Sequence, residues 1–182
     1  LPDGIYEVTI TDSNNCSINN SYEILGGSSP SAFFEEIGIT GCEGDDFMLT
    51  LDLIGNAPFD LIYSDGQNQF GLTNIQDGHI LNLNPSQITT YSIISVTDAQ
   101  NCMGTSADTA VLTVNHPPTF EDLQVICSGN FYTVQFRVES DLPFGVSGNG
   151  VASIDPDGTV TSTHIPIMSP YEFVISNDCG NV

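Results

Sequence analysis

The chain has 182 residues, and 23 acidic side chains stand against a single base, Arg137, for a formal net charge of −22. Phosphate backbones and anionic membrane surfaces are held by clustered Lys and Arg, so this balance excludes a nucleic-acid partner, polybasic membrane binding and phosphoryl-transfer chemistry. A hydrophobic content of 40% with 13% charged residues, 17 Gly and 10 Pro describes a packed protein of strands and turns, and no apolar run is long enough for direct membrane insertion.

Leu1-Pro2-Asp3 carries neither an initiator Met nor a signal-peptide pattern, and the chain is expected to be a piece of a longer protein. Period-two alternation predicts strands at residues 6–10, 47–53 and 132–138. Shorter β-rich runs follow at 61–63, 91–96, 110–114 and 171–175, and no segment has helical periodicity. Turns are predicted at Ser64-Asp65-Gly66, Gln76-Asp77-Gly78, Gly148-Asn149-Gly150 and Pro156-Asp157-Gly158. Short strands separated by such turns, in units of about 65–85 residues, predict an all-β fold, tandem immunoglobulin-like antiparallel β-sandwich domains joined by short linkers into an extended array. Tyr6, after Leu1-Pro-Asp-Gly, and Tyr91, after Leu83-Asn-Pro85, fit a tyrosine corner, in which the hydroxyl bonds back to the preceding backbone.

The five cysteines reveal an internal repeat. Cys42 to Phe59 aligns without a gap with Cys127 to Phe144: each opens Cys-x-Gly, alternates, and ends Pro-Phe, so that Phe47, Leu49, Leu51 and Leu53 match Tyr132, Val134, Phe136 and Val138. Phe34-Glu35-Glu36-Ile37 resembles Phe120-Glu121-Asp122-Leu123. A second motif runs from Tyr6 through Asp12 to Cys16, from Tyr91 through Asp98 to Cys102, and in shortened form from Tyr171 through Asn177 to Cys179. Each unit thus has an early and a late cysteine. The expected bridges are Cys42 with Cys102 and Cys127 with Cys179, stapling the two sheets of each sandwich near one pole, with Cys16 paired outside the fragment. A bridge closing about 60 residues stabilises by roughly 4 kcal/mol. The expected domains are 1–25, the C-terminal strands of a truncated repeat; 32–115, a complete repeat; and 119–182, a repeat lacking its last strand. Gly26 to Ser31 has linker composition, and His116-Pro117-Pro118 predicts a stiff, extended junction.

Tyr-x-Val-x-Ile-Thr-Asp-x-Asn-x-Cys, the Cys-x-Gly opening, Ala57-Pro58-Phe59 before a Tyr-x-Asp-Gly turn, and Thr89-Thr90-Tyr91 before Thr97-Asp98 resemble the tandem immunoglobulin-like or PKD-like repeats of giant Bacteroidota surface adhesins, of the SprB gliding-motility type. The resemblance implies export by the type IX system, an extracellular, cell-surface location, and a non-enzymatic stalk or filament. It implies as partners neighbouring repeats, an external surface or polysaccharide ligand, and the secretion and gliding machinery acting through the parent protein. Asp108-Thr109-Ala110 matches the Asp-Ser/Thr-aliphatic glycosylation sequon of that phylum, marking Thr109.

His79, His116 and His164 stand far apart in sequence, and the carboxylates recur in turns and at unit starts, so no catalytic residues are expected. Without lysine, Lys-Asn isopeptide staples are excluded and rigidity falls to the disulfides. Calcium is the candidate cofactor, with hard oxygen donors at Glu35, Glu36, Glu121 and Asp122 near unit junctions and at Asp12, Asn14, Asp98 and Asn101 in the turns before the late cysteines. The rival reading is spacer or carbohydrate-binding accessory modules of a secreted multidomain hydrolase; the absence of Trp argues against a lectin role.

Overall fold

The computed structural model describes residues 4–24, 26, 28–148 and 150–182, with only the backbone for Val151 and Ala152. Leu1, Pro2 and Asp3 of the first predicted tyrosine corner, Leu25 at the predicted end of the first unit, Gly27 of the linker and Asn149 of the third predicted turn lie outside the described residues.

The first element is a two-stranded ribbon. β1 (Gly4–Thr11) and β2 (Ser17–Ile24) pair antiparallel in unbroken register, Tyr6 opposite Tyr22, and nearly every side chain is exposed. The turn between them is built by Asp12, whose Oδ1 accepts the N–H groups of Asn14 at 2.8 Å and Cys16 at 2.9 Å. Asn15 there has φ of 64°, a left-handed conformation that Asn tolerates better than most residues.

Stronger alternation produces a two-layer sandwich next. Its strands are β3 (Ser31–Phe34), β4 (Gly38–Cys42), β5 (Phe47–Ile54), β6 (Phe59–Ser64), β7 (Gln69–Ile75), β8 (Ile80–Leu83), β9 (Thr89–Thr97), β10 (Met103–Gly104) and β11 (Thr109–Asn115). One sheet runs β3-β5-β8; the other runs β4-β11-β9-β6-β7, with β10 on β9. Neighbours are antiparallel except β4 beside β11. Phe47, Leu49, Leu51 and Leu53 point inward from β5 and meet Phe59, Leu61, Ile93 and Leu112 of the facing sheet. Burying each such side chain contributes about 1.5–3 kcal/mol. A register shift between β6 and β9 at Ile62/Tyr63 lets Ile93 and Val96 both point inward, against strict alternation.

The second sandwich is thinner. Its strands are β12 (Thr119–Ser128), β13 (Phe131–Glu139), β14 (Gly145–Gly148), β15 (Val151–Ile154), β16 (Thr159–Ser162), β17 (Ile165–Pro166), β18 (Phe173–Asn177) and β19 (Gly180–Asn181). One sheet runs β12-β13-β16-β15 with β17 on β13, and the other β14-β18-β19. Val134, Phe136 and Val138 are buried at the positions that match Leu49, Leu51 and Leu53, while Tyr132 is half-buried. β12 is exposed along its length, and Phe120, 46% exposed, differs from its sequence counterpart Phe34, 4% exposed. In the first sandwich β11 seals that side of the core with Ala110, Leu112 and Val114. At the corresponding place in the second an apolar cleft lies open between Phe120, Leu123, Phe136, Phe173 and Ile175.

Candidate functional site: the junction between the two sandwiches

Strand direction decides which residues meet at the junction. β4 lies parallel to β11 with Cys42 opposite Asn115, so Cys42 sits at the pole where the chain leaves the first sandwich. β9 starts beside that pole, with Thr89 opposite Leu112, and runs away from it. The turn after β9, carrying Cys102, therefore lies at the opposite pole. At about 3.3 Å per residue, a nine-residue strand separates the two cysteines by far more than a disulfide spans. The predicted Cys42–Cys102 bridge is thus replaced. Cys42 is bonded to Cys179 of the second sandwich, with Cα atoms 5.3 Å apart, and Cys16, Cys102 and Cys127 are free thiols. Cys127–Cys179 fails for the same reason: β12 carries Cys127 to the far pole, whereas Cys179 lies beside the Pro117 linker.

Short polar contacts present both sulfurs. The Cys42 N–H donates to Asp45 Oδ2 at 2.7 Å, and the Glu43 N–H donates to the Asn115 carbonyl at 2.8 Å. Gly44 supplies the φ of 90° that this turn requires. Across the junction the Cys179 N–H donates to Asn177 Oδ1 at 2.8 Å. The Asn177 amide donates to the His116 carbonyl at 2.9 Å and to Ser140 Oγ at 3.0 Å.

His116 bridges the two sandwiches. Its Nδ1 lies 2.9 Å from Asp141 Oδ2 in the second, and its Nε2 lies 3.2 Å from the Ser86 carbonyl in the first. Both partners are acceptors, so both ring nitrogens are donors only in the imidazolium form. The hydrogen bond His116 donates to Asp141, followed by the one it donates to the Ser86 carbonyl, raises the His116 pKa above its ordinary value, and the Asp141 contact lowers that of Asp141.

The other sequence-predicted donors have different occupations. Asp98 repeats the Asp12 turn: its Oδ1 accepts Gln100 and Cys102 N–H groups, both at 2.9 Å, and Asn101 has φ of 59°. Burial pushes the Asp98 pKa up, but the Cys102 N–H, the Asn56 amide and the Gln100 N–H outweigh it and hold the carboxyl below its ordinary value. Asp12 and Asp98 thus cap the backbone that presents the late cysteine, and Asn14 and Asn101 are links of the same two turns. Glu36 is held by Thr50, through its N–H at 2.8 Å and its hydroxyl at 3.1 Å, and Glu35 is exposed, its N–H donating to the Thr50 carbonyl at 3.0 Å. Glu121 pairs with Arg137, which also reaches Glu139 at 2.8 Å, and Asp122 occupies a register break in β12. Among the described residues no three or more His, Cys, Asp or Glu side chains are grouped to hold a metal ion. Thr109 is exposed at the start of β11, and Asp108 accepts the Phe34 N–H at 2.7 Å. Tyr91 packs on Tyr63, ring centroids 6.3 Å apart, and among the described residues its hydroxyl makes no corner bond to the preceding backbone. Sequence reasoning also missed Asp141, Ser86 and Asp45; no motif marks them, because their partners lie across the junction or in a three-residue turn.

No protein-family profile and no curated protein matches the sequence. Solved structures resemble it in fold. A three-domain immunoglobulin fragment from titin, in a Glu-to-Ala variant, superposes with TM-score 0.61 at 14% identity, covering 99% of this chain and 71% of that one. The I-band titin fragment itself gives 0.59 at 14% identity, covering 98% and 71%. The N-terminal eight immunoglobulin domains of the Down syndrome cell adhesion molecule give 0.54 at 12% identity, covering 99% of this chain and 30% of that one. The fold is that of tandem immunoglobulin-like β-sandwiches.

Proposed function

We propose that the chain is a load-bearing spacer segment of a very large secreted cell-surface protein, the stalk or filament of a gliding-motility-type adhesin of the SprB kind. The observation that carries this reading is the bridge between sandwiches: Cys42–Cys179 adds a second covalent tie beside the Asn115 to Thr119 linker. Two ties restrict rotation about a single linker, which serves a stalk. A disulfide between half-buried Cys42 and Cys179 also fits an oxidising, extracellular compartment. The net charge of −22 keeps such a rod soluble and apart from its neighbours.

In this reading the units are 1–25, 32–115 and 119–182, the last without its final strand, in keeping with the cleft beside β18. The protein has no catalytic role, travels through the type IX system, and presents a surface or polysaccharide ligand site elsewhere in its parent. Exposed Thr109 is available to glycosylation. The test is to raise antibody to this chain and apply it to living source cells, with a denaturing gel of the same cells. Surface labelling and a parent of hundreds of kilodaltons are expected; an internal protein of about this chain's own size refutes the reading.

A further inference from the structure

His116 stands between the two bridged cysteines. Its Nε2–H donates to the Ser86 carbonyl of the first sandwich at 3.2 Å, while its Nδ1–H and its backbone N–H donate to Asp141 Oδ2 of the second at 2.9 and 3.2 Å. Its own carbonyl accepts the Asn177 amide at 2.9 Å, and Asn177 Oδ1 in turn accepts the Cys179 N–H at 2.8 Å. On the other side Asn115, the residue before it, lies opposite Cys42 in the β4–β11 pairing. One backbone step therefore separates His116 from the neighbour of Cys42, and one side chain separates it from Cys179. Among the described residues, the other charged side chains lining the hollow beside the ring are all acidic: Asp141, Glu43 of the turn after β4, and Glu139 at the end of β13, which also pairs with Arg137 at 2.8 Å. They favour the imidazolium. A neutral imidazole donates from one nitrogen only, so losing the proton sets a lone pair against an acceptor and frees one of the two sandwiches from the ring.

We propose that the His116 clamp and the Cys42–Cys179 bridge form a coupled switch: the charged ring holds the sandwiches in the relation the disulfide needs, so the bond forms more readily and resists reduction better than when the ring is neutral. Both ties fix the same relation between the sandwiches, so whichever is in place removes freedom that the other would otherwise have to remove. The effect is reciprocal, and the bridge strengthens proton binding at His116 by the factor by which the proton strengthens the bridge. In the exchange, two glutathione thiols reduce the bridge to the Cys42 and Cys179 thiols and become one glutathione disulfide. Electrons and protons balance within that step, so pH enters only through groups whose proton affinity differs between the bridged and open chains. The clamp is in place between the folded pKa of Asp141 and that of His116; it is lost as pH rises through the second or falls through the first. Mild acid thus keeps the junction closed against a reductant, and alkali lets the same reductant open it. This coupling belongs to the junction alone and does not depend on the adhesin reading.

The test is equilibration of the whole chain in glutathione redox buffers, approached from the oxidised and from the reduced side, with the Cys42–Cys179 bond read by acid quench, alkylation and peptide mapping. From about pH 5 to about pH 8 the thiols stay mostly protonated, so an uncoupled exchange constant is nearly flat. Expected is a fall of about two- to fivefold as pH rises through the His116 pKa, the scale of an exposed ion pair. His116→Gln should flatten the profile, and Asp141→Asn should move the fall to lower pH. NMR should find the His116 pKa higher in the oxidised chain than in the reduced one, by the logarithm of the same factor. A flat profile in the wild type, the same fall in His116→Gln, or a His116 pKa unchanged by reduction overturns the proposal. An oxidised chain whose map lacks Cys42–Cys179 overturns it together with the junction itself. Circular dichroism of each variant checks that the sandwiches remain folded.

Discussion

Single Cys→Ser substitutions separate the observed bridge from the one the sequence suggests. Cys42 lies beside Asn115 in the β4–β11 pairing. If the second sandwich unfolds while the first holds, the bridge therefore leaves a closed loop of about 64 residues, Asn115 to Cys179, and removes roughly 4 kcal/mol of unfolded-state entropy. If the first unfolds while the second keeps Cys179 against Pro117, the loop is about 75 residues and the effect again roughly 4 kcal/mol. Cys42→Ser and Cys179→Ser should therefore each destabilise both sandwiches, by roughly 15–30 °C in Tm for domains of this size. Cys102→Ser and Cys127→Ser should stay within about 0.5 kcal/mol, as exposed or half-exposed substitutions do. Bridges within each unit would close loops of similar length, so the pattern discriminates and the size does not. The assay is calorimetry of the four variants under oxidising conditions. Cys102→Ser melting as low as Cys42→Ser would refute the reasoning.

The His116 imidazolium should titrate above 6.5 in an NMR titration, and Asp141→Asn should bring it down, because Asp141 is the largest cause of the shift. Its contribution to the junction is fully present below the unfolded histidine pKa and lost as pH rises through the folded one. Asp141, lowered in the folded state, loses its contribution as pH falls through its own folded pKa, so the contact is strongest in between. Asp98→Asn should lower the Tm of the first sandwich at neutral pH, and the difference from wild type should shrink as acid protonates the native carboxyl. Gly104→Ala should cost about 1–3 kcal/mol in a urea titration, because a Cβ there collides with the Pro30 carbonyl oxygen, which belongs to backbone and cannot swing aside.

The strands β5 and β13 are legible in the sequence because each buries one face, so the pleat writes itself as alternation. β2 is not: Ser17-Ile-Asn-Asn-Ser has no buried side to record, and the backbone pairing that makes it a strand leaves no pattern. β12 alternates poorly for a related reason, since its side chains remain exposed. The immunoglobulin class and the early and late cysteines are also legible, whereas the pairing is not read from spacing alone. The residue before β5 and the residue after β9 look equivalent in a linear repeat, yet both strands run away from the exit pole, which puts the two cysteines at opposite ends. The acidic turns mislead for a chemical reason. An Asp that accepts two backbone N–H groups and an Asp that awaits a cation share a sequence context, and only the filled lone pairs of Asp12 and Asp98 distinguish them.

The bridge also fixes how the chain carries tension. Pulled at its two ends, the chain passes force along residues up to Cys42, across the disulfide, and out after Cys179, so the 137-residue separation between them lies in a loop that bears no load beyond what the bridge transmits. At most about 3.3–3.6 Å of length per residue is released on unfolding, so the bridge hides roughly 450–490 Å of extension. In single-molecule force spectroscopy of the oxidised chain, neither sandwich should contribute its full unfolding step; after reduction, steps summing to about that length should appear. Full-length steps in the oxidised chain would mean that the sulfurs do not join the two sandwiches. A bridge inside each sandwich would hide two shorter loops and leave the junction itself extensible, so the summed length gained on reduction distinguishes the two arrangements. Locking residues 42–179 behind one bond limits how far either sandwich can extend under load, which the single linker at His116-Pro117-Pro118 cannot do.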